Sequence, residues 1–412
     1  MSLRGTKQPQ IQAKSFVRRN DIATFIYVQL LILQTPRACL IPVPVKTFVS
    51  ILSEFMRKWT SVLLTTVVLA APLTACGGSS GPTGQGANAS NTPQVQSRLD
   101  KVISRGTLIC GVSGQLPGFS FVDEKGKYSG LDVDVCRAVA AALFDDPDKV
   151  EYRNVNAKER FTALQSGEID ILSRNTTWTL SRDGATGLEF APVVFYDGQG
   201  IMVKQDSGIK TLKDFAGKSI CVQTGTSTEQ NLSDQMRKIG VKYTPVVFED
   251  VNATFATYQE GRCQGVTADR SQLVSKRTIL PNPGQHIILD EVMSKEPLAP
   301  SVNNGDAKWA DAVRWIVYST MEAEDLGISS KNIEQLSTTT TDPNIKRLVG
   351  TEGDLGKGLG LPNDFALRIV KKVGNYGEIY DRNLGPNSTL KLERGQNKLW
   401  KDGGLMYSPP FR

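Results

Sequence analysis

From residue 107 onward, short apolar runs alternate with longer amphipathic ones. Residues 107–112 (TLICGV) are almost continuously apolar, as in a strand covered on both faces. Residues 131–144 (LDVDVCRAVAAALF) carry apolar side chains at helical spacing around an Ala-rich middle and predict a helix. A second strand is predicted over 150–155, a helix over 158–165 closed by Gly167, and a third strand over 169–172. The order then repeats. Strands are predicted at 219–223 (SICVQ), 243–248 and 265–268, with helices at 226–239 and 253–260 stopped by Gly240 and Gly261. The two helix-to-strand passages, RFTALQSGEIDIL and TFATYQEGRCQGV, hold Phe, Gln and Gly at matching offsets.

This alternation predicts parallel sheets with right-handed crossovers, in two α/β lobes with a cleft between their strand ends. Residues 193–202 and the proline-bearing 291–302 are the expected crossings between lobes, and a double crossing makes a hinge. The amphipathic helix predicted at 309–324 rejoins the first lobe. Breaks are expected at 338–342 and 350–360, a helix at 364–373, and an irregular tail along the surface to Arg412.

Residues 173–183 (SRNTTWTLSRD) follow the third predicted strand. Open α/β sheets bind ligands where chains leave strand C-termini. An arginine among hydroxyls and an amide suits one carboxylate, because its planar fork gives two parallel charge-assisted bonds. The rival reading is a polar surface loop.

The chain of 412 residues has a formal charge of +6, unevenly placed. Residues 1–75 hold nine basic and two acidic residues, and the remainder is close to neutral. The excess therefore does not argue for a nucleic-acid partner. Met56-Arg57-Lys58, the apolar 62–73 and Leu73-Thr74-Ala75-Cys76 read as a signal peptide over 56–75. Its end resembles the bacterial lipobox, which makes Cys76 the expected lipid attachment and a membrane anchor. The rival is a chance apolar run beside a cysteine. Residues 76–97, rich in Gly, Ser, Asn, Thr and Pro, read as a flexible tether. Residues 1–55, with an apolar patch at 25–33, precede a complete signal and read as a mis-annotated upstream segment, with translation starting at Met56.

In order along the chain stand RGTLICGV, LPGFSF, GLDVDVCRAVAAALF, KERFTALQSGEIDILSRNTTWTLSRD, YDGQG, CVQTGTSTEQNL, GRCQGVTADRS and SKEPLAPSV. With GNYGEIYDRNLG, LKLERG and LWKDGGLMYSPP they resemble the substrate-binding proteins of bacterial ABC importers for polar and general amino acids. The similarity is greatest to the general L-amino-acid-binding branch and covers about Arg98 to the C-terminus. It implies an α/β fold of the periplasmic-binding-protein type II: two lobes, a two-stranded hinge and a ligand in the cleft. Lobe 1 would span 98–195 and, on the return, 296–340, lobe 2 would span 196–295, and 341–412 would be a C-terminal extension packing on the lobes. The implied ligands are L-amino acids of broad range, the implied partners are ABC permease membrane subunits, and a monomer without cofactor or metal is expected. The implied place is exported, lipid-anchored at the outer face of the cytoplasmic membrane or periplasmic.

On this resemblance Arg182 would hold the ligand α-carboxylate, with Thr177 and main-chain donors around Asn175. Gly225, Thr226 and Ser227 would add donors from a helix start in lobe 2. Asp269 would take the α-ammonium, so a zwitterion bridges both lobes. Each has a plainer rival: Arg182 as a surface residue beside Asp183, Asp269 paired with Arg270, Thr226 as an ordinary helix cap. Relatives commonly place an aromatic lid shortly before the residue matched by Phe119. Here Gln115-Leu116-Pro117-Gly118 precede it, an apolar, less shaped wall that suits broad specificity; Phe119 and Trp178 are the expected pocket residues there, with core packing the rival for Trp178.

Four cysteines remain beyond Cys39 and Cys76, an even count that suggests disulfides in an exported body. Of three pairings, Cys110–Cys136 and Cys221–Cys263 join residues expected to be neighbours within one lobe; four buried thiols is the alternative. The single histidine, His286, is expected at a surface turn and cannot serve a multi-histidine metal site. Two other functions suit the same fold: a dehydratase-like enzyme, for which Asp269 is the one buried acid in view, and a sensory module. N-terminal peptides from the precursor in its native host should begin at Met56; a peptide from 1–55 would overturn that start.

Overall fold

The structure, a computed structural model, describes residues 96–412. The upstream segment 1–55, the signal peptide 56–75, Cys39, the anchor Cys76 and the tether as far as residue 95 lie outside the described residues.

The body opens with α1 (Arg98–Arg105). The Ser97 hydroxyl accepts from the Leu99 N–H, and Asp306 accepts from the Ser97 hydroxyl and the Arg98 N–H. Arg98 and Arg105 both pair with the buried Asp170, which also accepts from the Ile109 N–H. The start of the body is thus pinned to the first sheet.

That sheet runs β5–β1–β6–β15–β7. β1 (Leu108–Val112), β5 (Val150–Asn154) and β6 (Ile171–Leu172) are parallel. β7 (Leu188–Phe190) and β15 (Ser301–Asn303) pair antiparallel, and β15 also runs antiparallel to β6. A small sheet of β2 (Gln115–Leu116), β3 (Ser120–Val122) and β4 (Tyr128–Ser129) stands beside it. The second lobe's sheet runs β11–β10–β12–β9–β13. β10 (Ser219–Gln223), β11 (Thr244–Phe248) and β12 (Gly265–Asp269) are parallel, whereas β9 (Gln199–Lys204) is antiparallel to β12 and to β13 (His286–Ile288). The sheets are therefore mixed, not wholly parallel as the alternation alone predicts. The reason is the crossing: a chain that arrives from the cleft side runs away from it, against strands that run toward it.

The hinge is β8 (Phe195–Asp197) paired antiparallel with β14 (Glu296–Leu298), which sets Asp197 opposite Glu296. Lobe 1 carries α2 (Leu131–Phe144) and α3 (Arg160–Ser166); lobe 2 carries α4 (Ser227–Lys238), α5 (Val251–Gln259) and α6 (Arg270–Arg277). α7 (Ala307–Asp325) returns to lobe 1, where Trp309 is buried and its Nε1–H donates to the Asp170 carbonyl.

After α7 come α8 (Ile333–Thr339), α9 (Pro343–Leu348), α10 (Leu355–Leu359), α11 (Phe365–Lys372) and α12 (Tyr376–Asn383). Here two expectations are corrected. Residues 350–360 contain a short helix, and the tail is no surface run. α12 starts at a capping box between Asn375 and Glu378, and Tyr376, Tyr380, Leu384, Leu399, Met406 and Phe411 are all sunk in the lobe 1 core. The Tyr376 hydroxyl donates to the Val194 carbonyl, and Asn397 bonds both backbone groups of Tyr196 in the hinge strand. Periodicity missed this because anchors spaced by turns have no helical period. His286 is also corrected: it is buried, and its Nδ1 meets the Tyr258 hydroxyl at 2.9 Å.

Disulfides join Cys110 in β1 to Cys136 in α2, and Cys221 in β10 to Cys263 just before β12. Each closes a loop within one lobe, with separations of 26 and 42 residues. Each should contribute roughly 3–4 kcal/mol in the chain-entropy view. Non-reducing peptide mapping should recover these two pairs, and reduction should lower the melting midpoint; a pair across the lobes would contradict a mobile hinge.

Candidate functional site

β6, β10 and β12 end facing one another across the lobes. Between them lies a cavity of about 20 Å³, room for one or two waters. Arg160, Arg174, Asn175 and Thr177 of lobe 1 line it, with Gln223, Thr226, Ser227, Asp269 and Gln272 of lobe 2. The lobes are shut on each other. Asn175 donates to Gln272, the Thr177 and Ser227 hydroxyls meet at 3.2 Å, and Ser275 and Lys276 donate to the Pro117 and Gln115 carbonyls. Gly225, at φ +73°, lies so close to Ala157 and Lys158 that a Cβ would sit 3.0 Å from the Lys158 Cα. A larger hollow of about 530 Å³ beside Lys204, Asp206 and His286 belongs to lobe 2 alone, far from this charge.

The charge is unusual. Arg160, Arg174 and Arg182 are 2%, 5% and 8% exposed. Among the described residues none of the three forms an ion pair; their bonds go to neutral oxygens. Arg160 donates to Thr176, Arg174 Nε to the Val155 carbonyl, and Arg182 to the Thr177 carbonyl. The buried Arg160 Nε has no partner. Arg160 and Arg182 lie over the Phe161 ring at 4.7 and 5.2 Å. Burial works against the charge on Arg160, and the positive Arg182 and Arg174 add to it. Buried, unpaired cations of this kind are poised for an anion.

The acids mirror this. Burial raises the Asp132 carboxyl to about 7, although it accepts from the Asn175 N–H and feels Arg174 and Arg160. Burial raises Asp197 to about 6 against the pull of Ser271 and the Gly198 N–H. Asp269, at the end of β12, is raised well above the usual range by burial and then by the charges of Asp197 and Glu296. These neighbours would welcome a cation beside Asp269. Asp269 is thus not the one buried acid that the sequence puts in view.

Glu296 on hinge strand β14 ties both lobes. It accepts from the Thr177 hydroxyl of lobe 1 at 2.5 Å, and from Ser227 and Asn231 of lobe 2 at 2.8 and 2.7 Å. The Thr177 and Ser227 hydroxyls share Oε2, while Asn231 and Ser294 both donate to Oε1.

The sequence-predicted residues fall into three groups. Asn175, Thr177, Thr226, Ser227 and Asp269 line the cavity together. Arg182, in a π-helical turn Ser181–Ala185, is buried beside Thr177 but does not line the cavity; it is not a surface arginine, since Asp183 takes the Trp178 indole N–H instead. Asp269 is not paired with Arg270, which donates to the Leu289 carbonyl. Gly225 adjoins the cavity, but its N–H donates to the Glu229 carboxylate, while Thr226 caps α4 through the Glu229 N–H. Phe119 and Trp178 stand apart. Phe119 packs edge-on to Phe195 in the lobe 1 core, and Trp178 is 40% exposed and stacks on Phe190. Sequence reasoning missed Arg160, Arg174, Gln223, Gln272 and Glu296 as cleft residues. The signal for Arg174 was its place directly after β6; Glu296 lay in the expected crossing, where only prolines drew notice.

The profile of the bacterial extracellular solute-binding proteins, family 3, matches residues 108–333. The general L-amino acid-binding periplasmic protein of Rhizobium johnstonii is 50% identical over 76% of this chain and 92% of its own length. The glutamate/glutamine/aspartate/asparagine-binding protein of Rhodobacter capsulatus is 48% identical over 77% of this chain and 94% of its own. Among solved structures, an ABC transporter / periplasmic binding protein from Brucella ovis with glutathione bound is 49% identical, with a TM-score of 0.75 over 77% of this chain and 100% of that one. By its profile match, its relatives and its two hinged lobes, the chain belongs to family 3 of the bacterial extracellular solute-binding proteins.

Proposed function

We propose that this chain is an extracytoplasmic receptor that binds L-amino acids of broad range between its lobes and hands them to the membrane subunits of an ABC importer. One observation carries it: buried unpaired guanidiniums of lobe 1 and the Asp269 carboxyl of lobe 2 meet at one cleft. A zwitterion is the complement of that arrangement. The amino-acid names of the relatives support the same reading.

On this reading Arg182 and Thr177, with Ser227 and donors around Asn175 and Gly225–Thr226, hold the α-carboxylate, and Asp269 holds the α-ammonium. The cavity is smaller than an amino acid, so binding requires the lobes to part and reclose. Catalysis is no part of it: Asp197 and Glu296 are taken up by hydroxyl and amide donors, and Asp269 serves the ammonium. The body is a monomer made of lobe 1 (98–195 and 296–340), lobe 2 (196–295) and an extension (341–412). It is held at the membrane by an acylated Cys76 on the tether.

A thermal-shift screen of the refolded full chain should show higher midpoints with several L-amino acids and none with the matching decarboxylated amines. Arg182→Ala should abolish the shifts, and Asp269→Asn should weaken binding at least roughly 30-fold. An unshifted midpoint with every amino acid would overturn the assignment. Gly225→Ala, which pushes a methyl against Lys158 and strains a left-handed backbone, should weaken ligands without unfolding lobe 2; unchanged affinity would show that closure does not need this contact.

pH offers a further test. Asp132 and Asp197 have folded-state pKa values above the ordinary 3.8, near 7 and 6. The folded, ligand-free body then binds protons that the unfolded chain has already lost. Its stability is fullest below about pH 4 as far as these groups go, and falls as pH rises toward 7. Asp132→Asn should flatten this slope in melting midpoints; an unaltered slope would remove Asp132 as its source. An ammonium beside Asp269 favours its ionised form, so affinity should rise with pH and calorimetry should detect proton release.

A further inference from the structure

We infer that Asn397, in the C-terminal extension, is a positioning residue for ligand binding: it confines the bend of the hinge to one step of the β8–β14 ladder. The inference rests on the receptor reading above and gives the extension a part in it.

A ladder of two strands is marginal alone, because its outer edges present unpaired backbone groups. Here the middle rung sets Tyr196 opposite Pro297. Tyr196 turns both backbone groups, and Pro297 its carbonyl, away from the ladder, and lobe 1 takes them up. On the β8 side the Asn397 amide acts as a neighbouring strand would. Its Oδ1 accepts from the Tyr196 N–H at 2.6 Å, and its Nδ2 donates to the Tyr196 carbonyl at 3.2 Å. On the β14 side the Pro297 carbonyl accepts from the Trp178 N–H at 2.8 Å. Thr177, which lines the cleft, forms an antiparallel bridge with Leu298 beside it.

The next rung, Asp197 opposite Glu296, is tied to lobe 2. The Asp197 carboxylate accepts from the Ser271 N–H and hydroxyl at the start of α6. Glu296 accepts from Ser227 and Asn231 of α4, and from Thr177 only while the lobes are shut. The chain then passes through Gly198, so close to the other crossing that a Cβ would meet Val292 Cγ1 at 2.5 Å. The boundary between the two moving bodies thus falls between neighbouring rungs.

Asn397 is itself firmly held. It is 4% exposed, and its carbonyl accepts from Arg394 Nε at 3.0 Å. The Arg394 guanidinium pairs with Glu324 near the end of α7 and lies over the Tyr376 and Tyr380 rings at 5.1 and 5.3 Å. An amide fixed in this way keeps β8 from bending within lobe 1. Without it the bend spreads along β8, and the open form gains conformations that closure must remove. Apparent affinity falls with the share of molecules competent to close.

The test compares Asn397→Leu with Phe411→Ala in the refolded full chain. Phe411 fixes the same tail, but through Trp315 of α7. Both variants should lower the melting midpoint. Only Asn397→Leu should weaken L-glutamine in calorimetric titration, by at least roughly tenfold. In hydrogen exchange of the ligand-free protein, Asn397→Leu should speed residues 293–299, around the strand that Asn397 does not bond, and Phe411→Ala should not. The proposal is overturned if Asn397→Leu binds within about threefold of the wild type, or if Phe411→Ala weakens binding as much. It is overturned equally by unchanged exchange at 293–299. If Asn397→Leu does not fold, Asn397→Asp replaces it, keeping the acceptor for the Tyr196 N–H and losing the donor; a loss of at least about threefold is expected, and unchanged affinity overturns the proposal. If no amino acid binds the wild type, the receptor reading fails, and exchange at 293–299 alone decides whether Asn397 confines the bend.

Discussion

The structure depends on how charge is kept under cover where the lobes meet. Three guanidiniums lie buried without a carboxylate partner, and the carboxyls of Asp132, Asp269 and Glu296 lie buried close by, with Asp197 half-buried beside them. Such an arrangement is expensive in a shut, empty cleft, because neither set is fully compensated. It becomes favourable when a molecule carrying both signs lies between them. On the function proposed above, closure and recognition are one event, since the groups that would attract a zwitterion are those whose burial closure requires. The raised carboxyl pKa values express the same tension: with no cation at hand, the acids relieve it by holding protons.

The hinge takes part in this balance. Glu296 sits on a strand that joins the lobes, and it gathers hydroxyl and amide donors from both. When the lobes separate, Thr177 and Ser227 cannot both stay on the same carboxylate oxygen. Glu296 therefore holds both lobes only while they are shut on each other. Exposed cross-lobe pairs such as Lys158–Glu249 contribute little by comparison, being open to water and salt.

Much of this was legible in the chain. The 131–144 helix emerged with its predicted bounds because its apolar spacing and Ala-rich centre leave no competing period. The paired lobes, the hinge and both cysteine pairs followed from repetition and neighbourhood. What stayed hidden was what depends on depth. Arg174 stood in the 173–183 stretch beside Arg182 without a role of its own, and Arg160 read as an ordinary cation; the fold places both beneath the surface. Trp178 and Phe119 lay near the right motif, but one is turned outward and the other inward by packing that has no linear signature. His286 was expected at a surface turn, and the pairing of β13 with β9 carries it inside.

The two lobes are not equal as lengths of chain. Lobe 2 is built from one continuous stretch and closes its own disulfide. Lobe 1 is assembled from its opening segment, the return through α7, and a tail whose Tyr376, Tyr380 and Phe411 complete the core. A chain emerging N-terminus first can fold lobe 2 as soon as that stretch is out. Lobe 1 must wait until almost the last residue has appeared, with long loops to close. During that interval the unfinished core, not the cleft, is the apolar surface most open to aggregation or proteolysis.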